Sequence, residues 1–221
     1  TYGGETVEPW LSSSWAFEDG DGGPVATVRL RDGTEWHDGE PLTASDVAFT
    51  YAFLADTSLG EEVRTEDSGP NDGPVPAPRF QGRSGLVDEV DVVDSRTARV
   101  QFVDCTPQIA TRAFTVPVLP EHVWRERTGG ASVAGIELGA ATEALVTNNV
   151  PPVGSGPVAL VRHTPREALV LERFDDHFLV RGDTDGVPSW IADPPAFDRL
   201  TLRVVGSDVA AAETVVDDEA D

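Results

Sequence analysis

The chain has 221 residues, with 39 Asp and Glu against 16 basic side chains, every one of them Arg, for a formal charge of -23. That balance excludes nucleic acid as a partner, because a phosphate backbone would repel it and no basic patch with interleaved aromatics occurs. It also disfavours docking on anionic membranes, and no apolar run reaches the length of a bilayer span. The length suffices for a real core without covalent staples, and the lone Cys105 allows no internal disulfide.

Dense carboxylates and missing Lys fit a protein from a salt-loving organism. At molar salt the Debye length falls to about 3 Å, which screens the self-repulsion of so acidic a surface. The alternative is an acidic module that binds cations or cationic peptides. The opening Thr1-Tyr2-Gly3, with neither an initiating Met nor a signal peptide, reads as the interior of a longer chain.

In chain order, Pro9-Trp10-Leu11 through Trp15 forms an aromatic-rich opening, and Asp19-Gly20-Asp21-Gly22-Gly23 is a turn cluster. Ala26, Val28 and Leu30 alternate with Thr27, Arg29 and Arg31 as a half-buried strand. Asp32-Gly33 and Trp36-His37-Asp38-Gly39 are turns. Thr43 is placed to cap a helix, with Asp46 at the third helical position of a variant capping box and Leu42 and Val47 as its hydrophobic staple. Val47, Tyr51 and Leu54 then face the core at helical spacing, and the helix ends near Asp56. Residues 57–84, rich in Gly, Pro, Ser and acidic side chains, read as a long loop.

Val90 and Val92 pair with Ala98, Val100 and Phe102 across a turn at 94–97. A short helix is expected over 107–113, an extended Val116-Pro117-Val118-Leu119-Pro120 after it, and one or two helical turns from Glu121 to Arg127. Residues 128–150 have no clear pattern. Pro151 to Pro157 is a punctuated loop. Val158 and Leu160 form a hairpin with Leu169 and Leu171, and Leu200, Leu202 and Val204 make a last strand. Ser207 caps a final helix carrying Val209, Ala212 and Val216. Interleaved helices and hairpins put the chain in the mixed α and β class.

The chemistry-bearing residue types form no catalytic pattern. Gly154-Ser155-Gly156 lacks the third Gly and the Lys of a phosphate loop, and Pro157 blocks a helix start there. Ser155 is not in a Gly-x-Ser-x-Gly elbow, because Val153 precedes Gly154. The four His residues, 37, 122, 163 and 177, show no His-x-x-x-His or Cys/His pairing, so no metal site is expected. His37 reads as a hydrogen-bonded turn residue, and Trp10, Trp15 and Trp36 as packing residues. No cofactor and no covalent chemistry are expected.

The order of these pieces closely resembles the peptide/nickel-type family of extracytoplasmic solute-binding proteins that serve ABC importers. The signature runs from Thr27-Val28-Arg29-Leu30-Arg31-Asp32-Gly33 through Trp36-His37-Asp38-Gly39-Glu40-Pro41-Leu42-Thr43-Ala44-Ser45-Asp46-Val47 to Phe49 and Tyr51. Further matches in the same order are Pro9-Trp10-Leu11 with Trp15, Leu119-Pro120-Glu121-His122-Val123-Trp124, Val153-Gly154-Ser155-Gly156-Pro157, Leu171 to Phe178, and Phe197 to Asp221. Departures include Ser12 for Ala, Ser155 for Thr, Val158 for Tyr, and loss of Gly before the closing Asp218-Glu219-Ala220-Asp221.

The resemblance implies a type II periplasmic-binding-protein lobe, with a core segment over 1–43, a subdomain over 44–150, a return to the core over 151–221, and the second lobe outside this chain. It implies an oligopeptide or dipeptide as solute, a membrane permease as partner, and a location outside the cytoplasmic membrane, anchored to it in the full form. The same lobe also occurs as the sensor of a regulator or receptor. By resemblance, residues able to line the ligand cleft are Asp56, Thr57 and Ser58 after the first helix, Phe114, Thr115 and Val116 before Pro117, and Gly154 and Ser155.

Overall fold

The computed structural model describes residues 2–3, 6–57, 80, 82–127, 132–133, 136–137 and 151–207, with 209, 212 and 215. Most of the 57–84 loop and of 128–150 therefore lies outside the described residues, as does Val216.

The main sheet has four antiparallel strands in the order β3 (Ser12–Gly20), β4 (Gly23–Leu30), β6 (Thr97–Phe102), β5 (Val87–Asp94). Before it, Tyr2–Gly3 (β1) pairs with Thr6–Val7 (β2). Sequence patterning identified β4, β5 and β6 but read β3 only as an aromatic-rich opening. Its alternation is present, with Trp15 and Phe17 turned in and Ser14, Ala16 and Glu18 exposed, but the inward side chains are aromatic and the outward set includes Ala. The Asp21-Gly22 turn joins β3 to β4, with Gly22 at φ 91°, a conformation that suits glycine.

Register brings apolar side chains into rows across the sheet. Phe17 lies opposite Ala26, Ala26 opposite Val100, and Val100 opposite Val90. Successive residues of a strand point to opposite faces, so this row is the inner surface. Ala26, Val28, Val100 and Phe102 are buried there with Ala110 and Ala113. A second cluster joins Leu30, Trp36, Leu42, Ala44, Val47 and Ala98.

Helix α1 (Ala44–Thr57) packs on this sheet through Val47, Tyr51 and Leu54. Its start is a one-sided capping box. The Asp46 carboxylate accepts the Thr43 N–H (2.8 Å), while the Thr43 hydroxyl donates to the same carboxylate (3.3 Å) instead of accepting from the helix. The other Asp46 oxygen accepts the Glu121 N–H at 2.8 Å, so one buried carboxylate also seats α3 (Glu121–Arg127). Leu42 and Val47 share one buried cluster, as the staple predicts.

The helix expected over 107–113 is α2 (Pro107–Ala110) followed by a tighter turn, Thr111–Thr115. Ser132–Val133 (β7) and Ile136–Glu137 (β8) pair as a short ladder. A second antiparallel sheet has the order β11 (Arg199–Arg203), β10 (Ala168–Arg173), β9 (Val158–Thr164). Val204 lies just past β11, its N–H on the Glu167 carbonyl.

Patterning missed α4 (Phe178–Arg181), a single turn begun by His177, whose Nδ1 accepts the Leu179 N–H, and ended by Gly182 in the left-handed region. His is not among the usual caps, and four residues carry no period. Val209, Ala212 and Val215 have helical backbone, where the final helix was expected.

Candidate functional site

A cavity of about 380 Å³ opens between the inner face of β3–β4, the buried side of α1 and the segment 114–118. Its lining includes Trp10, Leu11, Trp15, Tyr51, Phe114 and Val118, with Glu8, Ser12, Arg83 and Thr115 as polar members. Apolar, aromatic walls with few polar groups are the composition of a small-molecule site.

Contacts within and behind the lining hold the wall that carries Phe114, Thr115 and Val116. Phe114 sits in the tight turn after α2, its ring 5.5 Å from Trp15 and 5.9 Å from Phe102. Thr115 Oγ1 donates to the Arg112 carbonyl, and the Val116 N–H bonds the Ala113 carbonyl at 2.9 Å. Tyr51 reaches across from α1 and donates its hydroxyl to that same Ala113 carbonyl at 2.8 Å. Burial pushes the Tyr51 hydroxyl well above its ordinary pKa, so it stays protonated as a donor. Thr50 Oγ1 accepts the Leu119 N–H at 2.8 Å, fixing the extended stretch after Pro117 against the helix.

Of the residues expected at the cleft, Phe114, Thr115 and Val116 converge on this cavity. Asp56 and Thr57 form the last turn of α1. Ser58 lies outside the described residues. Gly154 and Ser155 do not line the cavity; their loop is held by His37, whose N–H bonds the Gly154 carbonyl and whose Nε2 donates to the Gly156 carbonyl at 2.9 Å. A Cβ on Gly154 would meet His37 Cε1 at 3.2 Å, so this glycine permits a close approach. His37 is thus the hydrogen-bonded turn residue expected of it. Trp10 and Trp15, read as packing residues, do pack and also line the cavity. Sequence reasoning placed Tyr51 in the core by spacing, which carries no sign that its hydroxyl braces the opposite wall.

A buried junction joins this region to the second sheet. Arg31, only 2% exposed, donates Nε to the Trp10 carbonyl at 2.6 Å, approaches the Asp183 carboxylate at 3.7 Å, and lies 4.9 Å over the Phe178 ring. Arg181 Nη2 donates to the Gly33 carbonyl at 2.5 Å. Desolvation lowers the Arg31 pKa while Asp183 and Asp185 counter it. His177, 2% exposed, lies against Phe178 and Trp10, and its pKa falls to about 4 through burial first and then the neighbouring charges of His37 and Arg181. Among the described residues, no group of three His, Cys, Asp or Glu side chains is placed to hold a metal ion.

Residues 6–221 match the model of the bacterial extracellular solute-binding proteins, family 5, middle region. The chain belongs to this family. Among curated relatives of the family, the oligopeptide-binding protein AppA of Bacillus subtilis is 26% identical over 202 residues, covering 91% of this chain and 30% of its own length. The ABC transporter substrate-binding protein CtaP of Listeria monocytogenes is 27% identical, covering 96% of this chain and 35% of its own, at a TM-score of 0.59. A periplasmic oligopeptide-binding protein of Thermotoga maritima shares the fold at a TM-score of 0.66 and 23% identity, with 98% of this chain and 33% of that one covered. The chain thus spans about a third of these solved structures, and its mixed α and β fold is part of a type II periplasmic-binding-protein lobe. Family members are extracytoplasmic binding proteins, and no helix among the described residues is long and apolar enough to cross a membrane.

Proposed function

We propose that this chain is one wall of a solute-binding protein that captures an oligopeptide or dipeptide outside the cytoplasmic membrane and hands it to an ABC permease. The observation that carries the reading is the aromatic-lined cavity on which Phe114, Thr115 and Val116 converge in a family 5 chain. In this reading those three residues touch the solute, with Asp56, Thr57, Ser58, Gly154 and Ser155 as further cleft positions. The segments 1–43, 44–150 and 151–221 are core, subdomain and return of one lobe. The full protein is anchored to the membrane, closes on its ligand by a hinge motion, and uses no metal, cofactor or covalent step. A cleft needs two walls, so this chain alone binds peptide weakly.

The test is a melting experiment on the full-length protein in molar KCl against peptides, sugars and nickel chelates. A ligand that binds only the folded state must stabilise it. A shift of several degrees with peptides, reduced by Phe114→Ala, supports the proposal. A shift with another class replaces the solute, and no shift with any class overturns the peptide reading in favour of a sensor or of a solute outside the panel.

The acidic surface belongs to the same proposal as an adaptation to salt. The unfolding midpoint of the chain is expected to rise as KCl goes from dilute to molar. A flat response, with stoichiometric Ca²⁺ saturation instead, would replace this reading with a cation-binding module.

A further inference from the structure

The face of α1 that carries Phe49 and Phe53 offers a second surface, which meets the cavity only at Tyr51. Phe49 and Phe53, one helical turn apart, stack at 5.7 Å with their planes 23° apart. Trp124 of α3 continues the aromatic row, 6.1 Å from Phe53. All three rings are half-buried. With the neighbouring stretch of β5, the face of α1 carrying Phe49 and Phe53 frames an open groove of about 660 Å³. The stretch from Ser45 to Phe53 along its floor is ~12 Å at helical rise, room for three or four extended residues.

Two features state what the groove accepts. The Arg125 guanidinium lies 5.5 Å over the Phe49 ring, held there by Nε and Nη2 bonds of 3.0 and 2.5 Å to Glu121. A cation on an aromatic face is therefore already part of this surface. On the opposite wall Asp88 and Glu89 are exposed, and neither makes an ion pair with a described residue. The groove thus combines ring faces with two exposed carboxylates that form no ion pair among the described residues. An apolar segment would leave those carboxylates without partners, and an acidic one would be repelled.

We propose that this groove docks a cationic polypeptide segment, an Arg side chain lying along Phe53 and pairing with Asp88 and Glu89. The groove shares Tyr51 with the cavity but none of Phe114, Thr115 and Val116, so a partner seated here leaves those proposed solute contacts free.

The test uses fluorescence anisotropy of a labelled peptide of alternating Arg and Ala, titrated with the protein in molar KCl, where diffuse attraction is screened. The expected result is saturable binding, weakened at least tenfold by Phe53→Leu and by the pair Asp88→Asn and Glu89→Gln. The control pair Asp19→Asn and Asp21→Asn, exposed carboxylates by the β3–β4 turn, should bind as the parent does. Absence of saturable binding overturns the proposal. So does an equal loss in the control pair, which would mean general acidity alone. If Phe53→Leu fails to fold by circular dichroism, the two charge pairs decide the matter by themselves.

Discussion

The two sheets of this chain carry similar apolar alternation and bury it very differently. In the four-stranded sheet Ala26, Val100 and Phe102 are at most 1% exposed, because α1 and the 107–116 segment cover them. In the three-stranded sheet Val170 is the buried strand residue among the described ones, while Val161 is 53% and Leu202 50% exposed. Leu169 lies opposite Leu202, and Leu171 opposite Leu200, in a leucine row that the described residues only half cover. Alternation thus specifies a strand and the side that wants burial, while the depth of burial is set by whatever element arrives on top.

That contrast makes its largest prediction at Phe102. Phe102→Ala is expected to cost about 3–5 kcal/mol, because a closely packed site cannot collapse around the missing ring. Leu202→Ala should cost less than about 0.5 kcal/mol in this chain, as an exposed position does. Urea denaturation of both variants checks the pair, and equal losses would break the distinction between the sheets.

The seam between the regions should respond to acid through His177. Its native pKa of about 4 lies below the unfolded value near 6.5, so the unfolded chain binds more protons between those limits. Stability is then fully present above pH 6.5 and declines as pH falls toward 4, by an amount on the order of 3 kcal/mol. Protonation would also remove the Nδ1 acceptor that caps α4. His177→Gln should flatten that part of a pH–stability curve; an unchanged curve would place the acid sensitivity in the carboxylates instead.

Asp46 probes how the well-packed side is tied together. Asp46→Ala strips acceptors from the Thr43 and Glu121 N–H groups at once, and a loss of about 2–3 kcal/mol is expected from chemical denaturation. Asp46→Asn keeps an acceptor oxygen and should recover part of it.

The smallest effect is at the rim, where His122 Nε2 donates to Asp38 Oδ2 at 2.8 Å. Burial works to raise the Asp38 pKa, but this bond, the Glu40 N–H and the His122 charge outweigh it and leave the carboxyl below its usual value. Both side chains are more than a third exposed. Asp38→Asn is therefore expected to cost under about 1 kcal/mol, measured as a double-mutant cycle with His122→Ala.

Much of this protein was legible from local pattern. Thr43 and Asp46 act over three residues, Asp94 to Thr97 over a tight turn, and the alternations of β4, β6 and β10 over one strand each, so their physics is contained in the chain nearby. The mixed α and β class and the family resemblance followed from the order of such pieces. Local pattern did not reveal that β3 completes the sheet, that His177 starts a helix, or that Phe49 and Phe53 line a groove with Asp88 and Glu89 of β5. Nor did it reveal that Phe114, Thr115 and Val116 meet Trp10, Trp15 and Tyr51 around one cavity while Gly154 and Ser155 go to His37. The His177 cap is local but has an unusual residue type, whereas the cavity and the groove depend on residues tens of positions apart, as Tyr51 with Ala113 shows and as Arg31 with Asp183 does over more than a hundred. A side chain's chemistry is local, but its neighbours, its solvation and the cavity it faces are decided only when distant segments close on one another.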